Sequence, residues 1–271
     1  MRRFGSSPFA FPGFSGATRQ LVLINLCAYF LLLLAGMASP GTGNSLAALL
    51  AFEPSAFLHG LLWQPLTYSL VHSGITGTLF ELLSLWFLAG FLESSHHASW
   101  IWSLYIVSVL GTAAAALVIF LVAGTLHIAL AAVPLYGCFG GIFGLLAAIG
   151  LLYGDTQFLL MFVIGIKARY LAIIYGLVAI AMLFGPQRLY AFAQLGGAIA
   201  GLLFVRRAPR KGMGFALSEW WYGLRNRYYR SKRRRAAKKF EVYMKQHGRT
   251  VRFDGQGKVI HDDHNDPKRW N

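Results

Sequence analysis

The chain has 271 residues, 56% of them apolar and only 13% charged, with a formal net charge of +15 and a mean hydropathy of +0.53. That balance lies outside ordinary soluble composition and excludes a freely soluble globular protein. Nineteen of the 25 Lys and Arg lie from Arg206 onward, against six of the ten acidic residues, so the cationic charge belongs to a tail and not to the apolar body.

Arg2, Arg3 and Arg19 precede the first apolar stretch, Leu21–Met37. Because that stretch starts only after Arg19 and lacks a small-residue cleavage site, it reads as a membrane helix and not as a signal peptide. A long loop without Lys or Arg follows. Further apolar stretches run over Ile75–Leu92, Ile101–Val122, Gly140–Tyr153, Tyr170–Phe184 and Leu189–Val205, separated by Gly, Pro and polar clusters. Several are shorter than the ~20 residues a helix needs to cross about 30 Å of hydrocarbon. With flanking residues added, six transmembrane helices are expected.

Lys167, Arg169 and the crowded cations of the tail, set against the cation-free first loop, place both termini on the cytoplasmic side. The expected division is a cytoplasmic segment over 1–19, a membrane domain over 20–207 and a basic tail over 208–271. Cys27 and Cys138 each lie in or beside an apolar helix and read as small core or lipid-depth residues, implying no disulfide framework. Gly137, Gly140, Gly141 and Gly144 are three or four apart or adjacent, and Gly197 and Gly201 are four apart. Such spacing puts bare backbone on one helix face and lets two helices approach closely.

In the tail, Trp220, Trp221, Leu224, Tyr228 and Tyr229 alternate with Arg225, Arg227 and Arg230 and with the run Lys232, Arg233, Arg234, Arg235. Aromatics and cations at helical spacing suit a helix lying on a lipid surface, where each cation near anionic headgroups contributes about 1 kcal/mol. Membrane lipids are therefore an expected partner, and nucleic acid is not, since no nucleic-acid-binding module accompanies the cluster. In Arg249–Ile260, the turn residues Asp254–Gly257 separate two short alternating runs, a pattern for a small hairpin. His261, Asp262, Asp263, His264 and Asp266 crowd the terminus without the spacing of a defined site. No metal and no cofactor is expected.

Three segments carry a family resemblance. They are WQPLTYSLVHSG at Trp63–Gly74 with the helix end GFLE at Gly90–Glu93, GCFGGIFG at Gly137–Gly144, and AQLGGAIAG at Ala193–Gly201. In this order they resemble the first loop and second helix, the fourth helix and the sixth helix of rhomboid intramembrane proteases. Asp155–Gly176 is similar to that family's passage from fourth to fifth helix. The resemblance covers Gln20–Arg207 and implies an all-α membrane protein, a rhomboid-like six-helix bundle with a basic cytoplasmic C-terminal tail. A bacterial inner membrane is the location expected with it.

The resemblance also implies what the catalytic positions have become. The serine position is Phe139, the general-base position Gln194, and the two oxyanion positions Gly77 and Glu81. A benzyl group has no proton to lose and no lone pair to attack with. An amide cannot accept and return a proton near neutral pH. An ionised Glu81 would repel a developing oxyanion. Cys138 does not replace the serine: a one-residue shift turns a helical side chain by about 100°, and no histidine remains at the base position to form a thiolate.

His72 occupies the family's first-loop histidine position and reads as a hydrogen-bonding strut. Glu81 carries the sharpest expectation, because a carboxylate charged at membrane depth costs about 2.5–3.5 kcal/mol. It should be protonated, wet or paired, near His72 and Gln194. Phe139 either plugs the cavity or forms an apolar seat for another transmembrane segment. The expected function is a catalytically inactive scaffold subunit or adaptor for transmembrane clients in a hetero-oligomeric complex. An active serine protease is opposed by the changed site residues, and a transporter by the scarcity of intramembrane charge.

Overall fold

The computed structural model describes residues 12–127, 134–160, 164–182, 184 and 188–207, and in the tail 222, 225–230, 232, 236, 242–243, 246–247, 252–253 and 259–260. The chain divides into two compact units, Met1–Met213 and Gly214–Asn271.

In the first unit, helix α1 spans Gly16–Ala38, and the cation-free loop after it is itself built of short helices: α2 (Pro40–Leu50), α3 (Pro54–Leu58), α4 (Gln64–Thr67) and a 3-10 turn over Tyr68–Leu70. Each of α2, α3 and α4 has a proline in its first turn, where the missing N–H is not needed and the fixed φ already suits a helix. Then come α5 (Ile75–Glu93), α6 (Ala98–Thr125), α7 (Phe139–Leu152), strands β1 (Gln157–Leu160) and β2 (Ile164–Lys167), α8 (Ala168–Met182) and α9 (Arg188–Arg207). Phe52 and Leu135 exchange backbone hydrogen bonds of 3.0 and 2.8 Å, tying the loop helices to the approach to α7.

Each apolar stretch read from the sequence falls on one of α1, α5, α6, α7, α8 and α9, yet they are not six equal spans. Among the described residues α1, α5 and α6, with 23, 19 and 28 residues, are long and apolar enough to cross a membrane by length and composition. Helix α7 has only 14 residues, about 21 Å at 1.5 Å per residue against roughly 30 Å of hydrocarbon. Helix α8 has 15 residues, and α9 is bounded by Arg188 at one end and Arg206 and Arg207 at the other. The chain is a mostly helical integral membrane protein, and among the described residues these three helices meet that measure.

The centre of the unit is the packing of α9 on α6 and α7. Its side-chain core includes Leu85, Leu92, Ile101, Leu104, Leu145 and Ile149, all essentially inaccessible. Close approach depends on glycine. A Cβ at Gly201 would lie 2.8 Å from the Cα of Gly144, and one at Gly197 would lie 2.8 Å from the Gly140 carbonyl. Gly140 and Gly141 give room to Thr112 and Tyr105 of α6, and Gly144 to Ser108. The α6–α9 crossing uses a further pair absent from the sequence reading: a Cβ at Gly196 would sit 3.0 Å from the Gly111 carbonyl.

Helix α1 is held at its start by the last residue of α5. The Ala17 and Thr18 N–H groups donate to the two carboxylate oxygens of Glu93, at 2.6 and 2.9 Å. A carboxylate at a helix N-terminus satisfies orphan donors and complements the dipole. Glu93→Ala is expected to lower the unfolding temperature in detergent, with a loss of about 1.5–3 kcal/mol for hydrogen bonds to a charged group. An unfolding temperature equal to that of the parent would show that the cap is without consequence.

The passage between α7 and α8, read from the sequence as a link between helices, is an antiparallel hairpin with Gln157 opposite Lys167 and Leu160 opposite Ile164. Phe158, Leu159, Leu160 and Ile166 suit a short strand as well as a helix flank, and an apolar run this short does not distinguish the two by periodicity. Asp155 pairs with Arg169 and, at 3.8 Å, with Lys167, so this basic pair is partly neutralised within its own turn.

In the tail unit residues 225–230 are helical, with the Arg225 guanidinium 5.0 Å from the centre of the Tyr222 ring. Strands β3 (Arg252–Phe253) and β4 (Val259–Ile260) pair antiparallel, Arg252 opposite Ile260. The turn Asp254–Gly257 lies outside the described residues.

Candidate functional site: a buried carboxylate between three elements

Helix α5, the turn before it and the start of α7 meet at Glu81, whose side chain is only 6% exposed. Its Oε2 accepts a hydrogen bond from the Cys138 N–H at 3.0 Å and from the Cys138 thiol at 3.5 Å. The Nε2 of His72 stands 3.4 Å from the same oxygen. A carboxylate in an apolar helix needs donors, and the free N–H groups at a helix start are the natural source. Cys138 is the N-cap of α7.

Gly137 makes this meeting possible. Its φ of +88° lies in the left-handed region open chiefly to glycine. Its N–H donates to the carbonyls of Val71 and Tyr68, at 2.7 and 3.1 Å. A Cβ there would lie 2.8 Å from Glu81 Oε2. Gly137 is therefore not one of the helix-packing glycines, as its spacing suggested. It stands before α7 and clears the space that Glu81 fills, while Gly140, Gly141, Gly144, Gly197 and Gly201 do lie in helical contacts.

His72 lies in the turn ahead of α5. Its Nδ1 is 3.1 Å from the Leu70 carbonyl, which orients the ring so that Nε2 faces Glu81. Burial pushes its pKa below the ordinary histidine value, with the Leu70 carbonyl acting in the opposite sense,. Nε2 is buried with no hydrogen-bond partner. The ring thus braces its own turn through Leu70 and faces α5 at Glu81.

Four hydroxyls nearby are committed to backbone carbonyls, Tyr68 to Val109 at 2.9 Å, Ser108 to Leu104 at 2.8 Å, Thr112 to Ser108 at 3.0 Å and Thr78 to Gly74 at 2.7 Å, while that of Tyr105 is buried without a hydrogen-bond partner. Nucleophilic catalysis needs a nucleophile in contact with a base and open to substrate. The thiol of Cys138 is wholly buried and directed at Glu81.

Of the four positions aligned with catalytic residues, Gly77 stands apart. Gly77 is exposed, with nothing within 4 Å of a Cβ built there. Phe139 is half-buried in the first turn of α7, packed against the core. Gln194 is buried on α9, but the hydrogen bonds to Glu81 come from Cys138. Among the described residues His72, Glu81 and Cys138 are brought together, each offering a ligand atom within 4.8 Å of the others. In the tail Arg225 and Arg230 are exposed. Trp220, Trp221, Arg233, Arg234, Arg235, His261, Asp262, Asp263, His264 and Asp266 lie outside the described residues.

The family model that matches the chain covers residues 19–222 and is described as Eukaryotic integral membrane protein (DUF1751). No curated protein matches the chain. The match overturns two expectations. The rhomboid assignment gives way to this family; the glycine motifs that suggested it are what any closely packed pair of membrane helices requires. The bacterial inner membrane gives way to a eukaryotic membrane.

Proposed function

We propose that this chain, which belongs to the Eukaryotic integral membrane protein (DUF1751) family, is a non-catalytic membrane subunit that holds transmembrane segments of other proteins. The observation that carries this reading is the wiring of the buried polar cluster. The Glu81 carboxylate is engaged by the Cys138 N–H and thiol, and the hydroxyls of Tyr68, Ser108, Thr112 and Thr78 donate to backbone carbonyls. The Cys138–Glu81 and Tyr68–Val109 bonds join separate elements, the other three close on their own helix turn, and none pairs a reachable nucleophile with a base.

A binding role needs surface for contact. Phe139 stands half-exposed beside Cys138, and α5 turns Leu79, Phe80 and Leu83 outward. An apolar helix meeting these side chains gains packing without displacing water, which is how helices associate in lipid. The exposed Arg225, Arg227 and Arg230 of the tail suit anionic headgroups, each contributing about 1 kcal/mol near a charged leaflet.

A photoreactive phenylalanine analogue placed at Phe139 or Phe80 tests the reading in intact membranes. Adducts with other membrane proteins are expected from both positions. Adducts confined to lipid would overturn it, as would cleavage of a transmembrane peptide by the purified chain.

A further inference from the structure

We propose that His72 Nε2, Glu81 Oε2 and Cys138 Sγ form a binding site for a zinc-class divalent cation. Two of the three ligand separations are those of a tetrahedral set. With metal–nitrogen and metal–oxygen bonds of about 2.0–2.2 Å and metal–sulfur bonds of about 2.3 Å, neighbouring N and O ligands lie roughly 3.4 Å apart and O and S roughly 3.6 Å apart. In the protein Nε2 and Oε2 are 3.4 Å apart and Oε2 and Sγ 3.5 Å. All three ligand atoms lie within 4.8 Å of one another.

Independent features of the surroundings point the same way. Nε2 is fully buried, makes no hydrogen bond and faces Glu81 Oε2 at 3.4 Å. The opposite ring nitrogen is fixed by the Leu70 carbonyl at 3.1 Å, the outer hydrogen bond that orients a metal-binding histidine. The Cys138 N–H on Glu81 orients the carboxylate in the same way. Charge also balances: a thiolate and a carboxylate together neutralise a dication, leaving no net charge in an apolar interior where an unpaired ion is costly. The mixed sulfur, nitrogen and oxygen set selects zinc over magnesium or calcium, which take oxygen ligands.

The site shares Glu81 and Cys138 with the cluster described above, the cation taking the place of the thiol proton,, and the test uses the full chain purified in detergent. Elemental analysis is expected to find about one zinc per chain. After chelation, titration with Co²⁺ is expected to raise a thiolate-to-cobalt charge-transfer band in the near ultraviolet. The band disappears in Cys138→Ser, and affinity falls at least about tenfold in His72→Gln and Glu81→Gln. A further arm needs no variant: chelation lowers the unfolding temperature of the parent, and Zn²⁺ but not Mg²⁺ restores it. A folded parent that holds no stoichiometric zinc, gives no band and keeps its unfolding temperature when Zn²⁺ is added would overturn the site. Equal zinc retention by Cys138→Ser would do the same.

Discussion

Gly201→Leu is expected to abolish a stable membrane unit. A Cβ at this position on α9 would lie 2.8 Å from the Cα and 2.9 Å from the carbonyl oxygen of Gly144 on α7. Both neighbours are backbone, so no side chain can swing aside. Overpacking ordinarily costs about 1–3 kcal/mol when side chains can adjust. Here the two helices must separate, and the adjoining contact of Gly197 with Gly140 is opened with them. A loss above about 3 kcal/mol follows, visible as aggregation on size exclusion and loss of cooperative unfolding. Gly201→Ala should be milder but still destabilising. A monodisperse Gly201→Leu protein with the unfolding temperature of the parent would mean that α7 and α9 do not pack this way.

Gly137→Val should be nearly as severe, for a different reason. The φ of +88° carries a penalty of about 1–2 kcal/mol for an ordinary residue, and a β-branched residue fits it worst. The new Cβ would fall 2.8 Å from Glu81 Oε2 and 3.2 Å from Oε1, driving the carboxylate from the Cys138 N–H. Leaving the buried Cys138 N–H without its acceptor adds about 1–3 kcal/mol. Because part of the effect passes through Glu81, Gly137→Val and Glu81→Ala should combine to less than the sum of their separate losses. Strict additivity in unfolding measurements would mean that Gly137 does not shape the Glu81 site.

Individual residues show what could be seen in the sequence. The apolar stretches announced their helices, because runs such as Ile101–Val122 have no other stable form in lipid. Glu81 stood out as a carboxylate in such a run, and its need for a proton, water or a partner followed from the energetics alone. Its main partner could not be seen, since Cys138 acts through its backbone N–H, which every residue but proline carries. Only the three-dimensional meeting of α5 with the start of α7 selects it. The spacing of Gly137 matched a packing motif, while its backbone conformation gives it another task. Glu93 likewise looked like the polar end of α5 and proves to cap α1, 75 or more residues away.

Hydropathy registers apolar character and not reach: α7 is apolar throughout but ends after 14 residues,. The family was misread for a related reason. Motifs of small residues report how closely helices pack, which is a property shared by many membrane folds.

The role proposed for this chain is to bind other membrane proteins and to do no covalent chemistry on them. Its most direct test is the mass of the particle released from native membranes by mild extraction into lipid nanodiscs. A particle heavier than the 29.9 kDa chain and its lipid, containing a second membrane protein that leaves when Phe139 and Phe80 are both changed to Ala, is the predicted result. A particle containing the single chain and lipid alone would contradict it.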